Sequence, residues 1–193
     1  MEQSKLHGGN QQENLLWWLC GIIDGEGCIT INHHRLHKET KRETLLFQPI
    51  IVIVNTNKLL IDTCQEILKQ SEIPFYVSFK SSPKANPNWK EKWQVMVVGL
   101  KRVSKALTIL SPYIISKRQE ANLVKRFCDL RLNAEKVKTS YGSLGYAPYN
   151  EENFKIIYEV AKIHNRNPQR LYAEIRNYIA KQDKVRPMAK SIE

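Results

Sequence analysis

The chain has no hydrophobic run long enough to cross a bilayer. Its most apolar stretches, residues 15–23 and 50–54, fall well short of the ~20 residues a transmembrane helix needs. No basic segment followed by an apolar one opens it, as a secretory signal would. The four cysteines, Cys20, Cys28, Cys64 and Cys128, lack CxxC spacing; this argues against a zinc or disulfide framework and for buried thiols in a reducing compartment. His33, His34 and His37 crowd one segment without the paired spacing of a tetrahedral zinc site. There is no second copy of the opening apolar segment and no low-complexity tract. Acidic residues are scarce: 19 against 30 Lys and Arg in 193 residues, a net charge of +11. Such an excess favours a polyanionic partner, nucleic acid before an acidic membrane, and no basic amphipathic anchor supports the membrane. The expected location is intracellular: an organelle (chloroplast or mitochondrion) or a prokaryotic cytoplasm, which the residues do not distinguish.

What is present suits one domain with a helical appendage. Residues 1–12 read as a loose arm. An apolar run over 15–23 predicts a helix that the glycines of Asp24-Gly25-Glu26-Gly27 terminate. Residues 28–34 alternate as a strand does, and 45–54 form a β-branched run in which Pro49 requires a bulge, an edge or a strand start. Asn55-Thr56-Asn57 can cap a helix whose apolar positions are Leu59, Leu60, Cys64, Ile67 and Leu68. Strands over 75–82 and 93–98 follow, then helices over 102–110 and 119–132. A Gly- and Tyr-bearing connection over 140–148 leads to helices over 151–164 and 168–181. The predicted order is α-β-β-α-β-β-α, with a core over 13–138 and a helical extension over 139–193.

The helix over 15–23 is apolar all the way round, so something must cover every side. Trp17 and Trp18 read as core side chains. Gly21 and Gly25 stand four apart with small Cys20 beside them, which lets a second backbone approach closely; self-pairing about a two-fold axis would use that strip. Trp18, Cys20, Gly21 and Ile22 are the expected interface. Asp24 and Glu26 fall at the negative end of the helix dipole, where each carboxylate is disfavoured by about 0.3–1 kcal/mol. Two acids so placed, with a freed terminal carbonyl, suit a hard cation such as Mg²⁺.

Leu19-Cys20-Gly21-Ile22-Ile23-Asp24-Gly25-Glu26-Gly27 resembles the signature of the LAGLIDADG homing endonucleases, with Cys20 in place of its alanine and Glu26 in place of its last acid. The element order is similar too, as are Asn55-Thr56-Asn57-Lys58 and the basic stretch from Ser116 to Leu123. The resemblance implies an α+β fold, an αββαββα core with a saddle-shaped antiparallel sheet, followed here by C-terminal helices. It implies that Glu26, the Gly25 carbonyl and Asp24 surround Mg²⁺, with Asp24 the more structural acid. Asn55 would position water, Lys117 would polarise it or steady charge, and Lys58 is a weaker basic partner. Taken from the residues alone, Asn55 is equally a helix N-cap and Lys117 a basic helix start. One motif rather than two resembles the homodimeric, intron-encoded branch, which cuts double-stranded DNA at long near-palindromic sites and leaves 3′ overhangs. Strand parity puts Ile29 and Ile31 in the core, and Cys28, Thr30, Asn32 and His34 toward DNA. Gln48, Ser78 and Lys80 join them, and Lys84, Lys90 and Lys92 suit phosphates. An intron RNA-splicing maturase, or a non-cleaving DNA-binding regulator, on the same scaffold is the rival reading.

Overall fold

The computed structural model describes residues 11–36, 44–81, 90–138, 144–164, 167, 169–177 and 179. The predicted order holds through the core: α1 (Gln11–Glu26), β1 (Gly27–Leu36), β2 (Thr44–Asn55), α2 (Lys58–Gln70), β3 (Tyr76–Lys80), β4 (Lys92–Val98) and α3 (Leu100–Leu110). Then come α4 (Arg118–Leu132), β5 (Lys136–Lys138), β6 (Leu144–Tyr146), α5 (Glu151–Ile163) and a helical stretch over 169–177, here α6. Among the described residues no helix is long and apolar enough to cross a membrane.

The main sheet is antiparallel with strand order β1-β2-β4-β3. Residues of odd number on β1, β2 and β4, such as Ile29, Ile31, Ile51, Ile53, Val95 and Val97, point to one side and are buried with Leu19 and Ile23 of α1, Ile61 of α2 and Leu107 of α3. That side is the core; the even-numbered residues form the other face. Side chains of this kind contribute roughly 1.5–3 kcal/mol each when fully buried. α2 is amphipathic and capped by Asn57, whose Oδ1 accepts from the backbone N–H groups of Leu59 and Leu60. Leu59, expected on its apolar face, is 73% exposed, because it lies two positions, about 200° of helix turn, from buried Ile61.

Several boundaries and faces differ from expectation. α1 starts at Gln11, inside the stretch read as a loose arm, and the rest of that arm lies outside the described residues. It also continues through Gly25 to Glu26, since neither glycine adopts a positive φ. The glycine that matters for the exit is Gly27, where a Cβ would sit 2.8 Å from the Ile23 backbone; strand follows helix there with no linking residue. Trp17 and Trp18 are not core side chains but 46% and 39% exposed. Pro49 lies inside β2. Its carbonyl accepts from Gly99 N at 3.0 Å, so its nitrogen faces the same side, just past the end of β4, and no ladder bond is lost.

The connection over 140–148 contains half of a short hairpin, β5 paired with β6. Strands of three residues are too brief for an alternation pattern to reveal. Behind it, Arg131 of α4 is 5% exposed and donates to the Ala147 carbonyl at 2.8 Å and to Asn153 Oδ1 at 3.3 Å. Its guanidinium lies 4.4 Å above the Tyr149 ring, and the Tyr149 hydroxyl accepts from Phe47 N of β2 at 3.2 Å. Burial raises the Tyr149 pKa, against the hydrogen bond from Phe47 and the charge of Arg131. The hub ties α5 to the core, and Phe154, Ile156, Ile157 and Val160 share its hydrophobic cluster.

Candidate active site and nucleic-acid interface

The end of α1 meets the end of β2 because of strand register. Gly27 pairs with Ile53, so Glu26, one residue earlier, falls beside the stretch that ends at Asn55. Asn55 Nδ2 donates to Glu26 Oε2, and Asn55 Oδ1 accepts from Asn57 N at 2.7 Å. Asn57, not Asn55, is the cap of α2. Glu26 is therefore an exposed carboxylate set between a helix and a strand, with an amide held against it by the start of another helix. Rigid supports on both sides are what a reactive constellation needs.

Asp24 is spent differently. Its Oδ2 accepts from Ile115 N at 2.7 Å and Ser116 N at 3.1 Å, and its Oδ1 from Lys117 N at 3.0 Å. In return Lys117 Nζ donates to the Asp24 carbonyl. α1 and the lead-in to α4 thus grip each other, and a cation sits at the negative end of α1, where the dipole favours it. Burial works to raise the Asp24 pKa, but the three N–H groups and the Lys117 charge outweigh it, and the carboxyl titrates below its ordinary value of 3.8. Asp24, expected beside the cation, thus has both carboxylate oxygens engaged by backbone donors, which suits the more structural role the resemblance implies. Lys117 stands at the N-cap of α4 without a side-chain cap bond, its ammonium on the last turn of α1. Lys58 is not brought to this site; its Nζ pairs with Asp62 Oδ2 at 2.6 Å along α2.

One strip of α1 faces outward. Trp17, Trp18, Gly21 and Gly25 are exposed and Ile22 is half-buried. A Cβ on Gly21 or Gly25 would meet nothing within 4 Å, so nothing in the described chain requires either to be glycine. Cys20 does not belong to this strip, contrary to expectation. It is fully buried, its thiol donates to the Leu110 carbonyl of α3, and burial together with Asp24 pushes its pKa up to about 12. The hundred-degree turn between successive residues separates Cys20 from its neighbour Gly21.

The face of the sheet opposite the core carries the other candidates. Cys28, Thr30, Asn32 and His34 of β1 do lie on it with Gln48 of β2, which pairs with Asn32. So do Ser78 and Lys80 of β3 and Lys92 of β4. Thr30 is the exception in exposure: at 2% it lies beneath its neighbours, next to buried Ile50, and offers little surface to a partner. Lys90 is exposed, and Lys84 lies outside the described residues, as do His37 and Trp89. Gln94 was missed; it pairs with Ser78, whose hydroxyl donates to Gln94 Oε1 at 3.3 Å. A lone Gln inside an apolar run carries no signal until its register is known.

No protein-family model matches the chain, and no curated protein matches it. Solved structures do. An archaeal intron-encoded homing endonuclease complexed with DNA superposes at a TM-score of 0.56 and 15% identity, over 79% of this chain and 85% of its own. The homing endonuclease I-TnaI gives 0.53 at 17% identity, over 83% and 97%. The homing endonuclease I-CvuI, in complex with the I-CreI target, gives 0.50 at 18%, over 78% and 77%. The fold is that of the LAGLIDADG homing endonucleases. In this chain's version of the LAGLIDADG fold, the nine-residue signature forms the last two turns of α1 and the first residue of β1.

Among the described residues no group of three or more His, Cys, Asp and Glu gathers at one point. One chain offers a cation the Glu26 carboxylate and the terminal carbonyl of Gly25. That donor set fits Mg²⁺, which retains waters and takes phosphate oxygens in place of a full protein cage; it does not fit zinc.

Proposed function

We propose that the chain is a site-specific DNA endonuclease of the LAGLIDADG kind. It acts as a homodimer with a divalent cation, Mg²⁺, on a long near-palindromic duplex and leaves 3′ overhangs. The observation that carries the reading is the end of α1: an exposed Glu26, steadied by Asn55, on a helix whose outward strip is apolar and whose glycines have open space before them. Two such strips facing each other would cover Trp18, Ile22 and both glycines, and would bring two Glu26 side chains together near the dyad.

Each residue then has a task. Glu26 and the Gly25 carbonyl would hold the cation, which supplies Lewis acidity and an acidified water when bound. Asn55 fixes the Glu26 carboxylate and can orient a water through its amide. Lys117, anchored on the Asp24 carbonyl, adds positive charge beside the scissile phosphate, and Asp24 keeps that lysine's helix in place. The outer sheet face would enter the major groove, as β-ribbons do.

The test is Glu26→Gln. This variant keeps its DNA affinity in a gel-shift titration and loses cleavage of a selected site by ~10²-fold or more, the scale at which one electrostatic contributor to a transition state is felt. Normal cutting by this variant would remove Glu26 from its role. Binding of structured intron RNA, with no DNA cut in Mg²⁺, would favour the maturase rival.

A further inference from the structure

The outer face of the sheet is not uniformly polar. Register places Val52 opposite Cys28 on one side and Met96 on the other, Ile50 opposite Thr30 and Val98, and Val54 opposite Gln94. Ile50, Val52, Val54, Met96 and Val98 thus form a continuous apolar band across the two central strands, and all but Ile50 keep part of their surface exposed. The polar residues lie around it: Asn32 and Gln48 toward the outer end of the sheet, Gln94, Ser78, Lys80 and Lys92 toward the Glu26 end. No described helix covers the band; the helices α1, α2 and α3 pack on the opposite face with the core.

We infer that this band is a specificity element that reads the 5-methyl groups of thymines in the major groove. The inference rests on the DNA-endonuclease reading above and names the bases that its central strands select. Thymine alone among the four bases presents a methyl group on that edge, beside its O4 acceptor, whereas adenine, guanine and cytosine present donors and acceptors without one. Where the methyl of thymine meets valine and methionine, the other bases place a hydrogen or an amino or carbonyl group, which either forfeits the apolar contact or loses water without gaining a partner. Two residues along a strand span ~6.8 Å, about two base-pair steps at ~3.4 Å each. From Ile50 to Val54 the band therefore covers roughly four steps. The lysines at its border and the net charge of +11 suit a polyanion and not an apolar protein surface. The base opposite Asn32 and Gln48 is selected by hydrogen bonds instead.

The experiment uses the unaltered chain with Ca²⁺ as a non-catalytic cation. Bound duplexes are selected from a randomised library, and the best site is resynthesised with each dT replaced in turn by dU, which removes the methyl alone. Affinity falls roughly fourfold per replacement, the ratio that corresponds to burying one methyl, in a run of about four positions per half-site, and stays unchanged elsewhere. Met96→Gln abolishes the loss at one of those positions and moves the selected base there away from thymine. Uniform tolerance of dU with specific binding intact overturns the inference and leaves the proposed function standing. Failure to select any sequence overturns both. The dU series needs no variant, so it decides the matter however Met96→Gln folds.

Discussion

The end of α1 and the hub around Arg131 use charge in opposite ways. Arg131 is buried and every direction around it is filled: carbonyls of Ala147 and Pro148, the Asn153 amide, and the Tyr149 ring. At the end of α1, one acid is likewise saturated, Asp24 with three backbone donors. The next but one, Glu26, is exposed with Asn55 as its hydrogen-bond partner. A charge whose partners are all internal holds the fold; a charge that is fixed in place but keeps an open side can act on something else. Two acids two residues apart are thus divided: one is held by the backbone and the other is left open.

The comparison can be broken in order of effect. Glu26→Gln, as above, abolishes cleavage while thermal unfolding stays within about 0.5 kcal/mol of the parent, the range for an exposed site. Arg131→Met reverses the pattern. It leaves the Ala147 and Pro148 carbonyls without their charged donor and destabilises by about 3 kcal/mol, read by urea denaturation, while the folded fraction still cuts.

Asp24→Ala sits between them, costing about 2 kcal/mol for hydrogen bonds to a charged group. Because the folded carboxyl titrates below its unfolded value of 3.8, its contribution is complete above that pH. It fades as the pH falls through the lower folded value, so parent and variant melting curves converge in acid.

Gly21→Leu tests the outward strip. A side chain there meets no atom of its own chain, so the monomer melts as before, but sedimentation shows the dimer lost. A variant that still dimerises would place the interface elsewhere.

The smallest effect concerns the thiols. Burial raises Cys20 and Cys128 to about 12 and Cys64 to about 11, so native protein reacts with maleimide at Cys28 alone of the four, and bound DNA slows that reaction.

Much of the fold is legible in the sequence. The alternation that buried Ile29 and Ile31 was correct because a strand's period is fixed by covalent geometry. The helix over 15–23 and its two acids stood out because acids are unusual at that end. Trp17 and Trp18 were misjudged because apolarity says a side chain needs cover, not whose. The depth of Thr30 is not legible because it depends on residues from β2 such as its partner Ile50, twenty positions away. Asn55 looked like a cap, and its tie to Glu26 emerged only when β1 and β2 came into register. Arg131 reads in the sequence as part of a basic helix face with Lys125 and Arg126, suited to phosphates, yet is buried, since a buried arginine on an amphipathic helix has the same pattern as an exposed one.

Composition and local pattern by themselves determined the net charge, the run of helices and strands, and the acidic end of the first helix as the candidate site, since charge and periodicity are properties of neighbours in the chain. Only the tertiary structure decided which acid is spent on the backbone and which is left open, which face of α1 stays uncovered, and that the centre of the outer sheet is apolar. Those are outcomes of strand register and helix packing, which join residues that the chain itself keeps far apart.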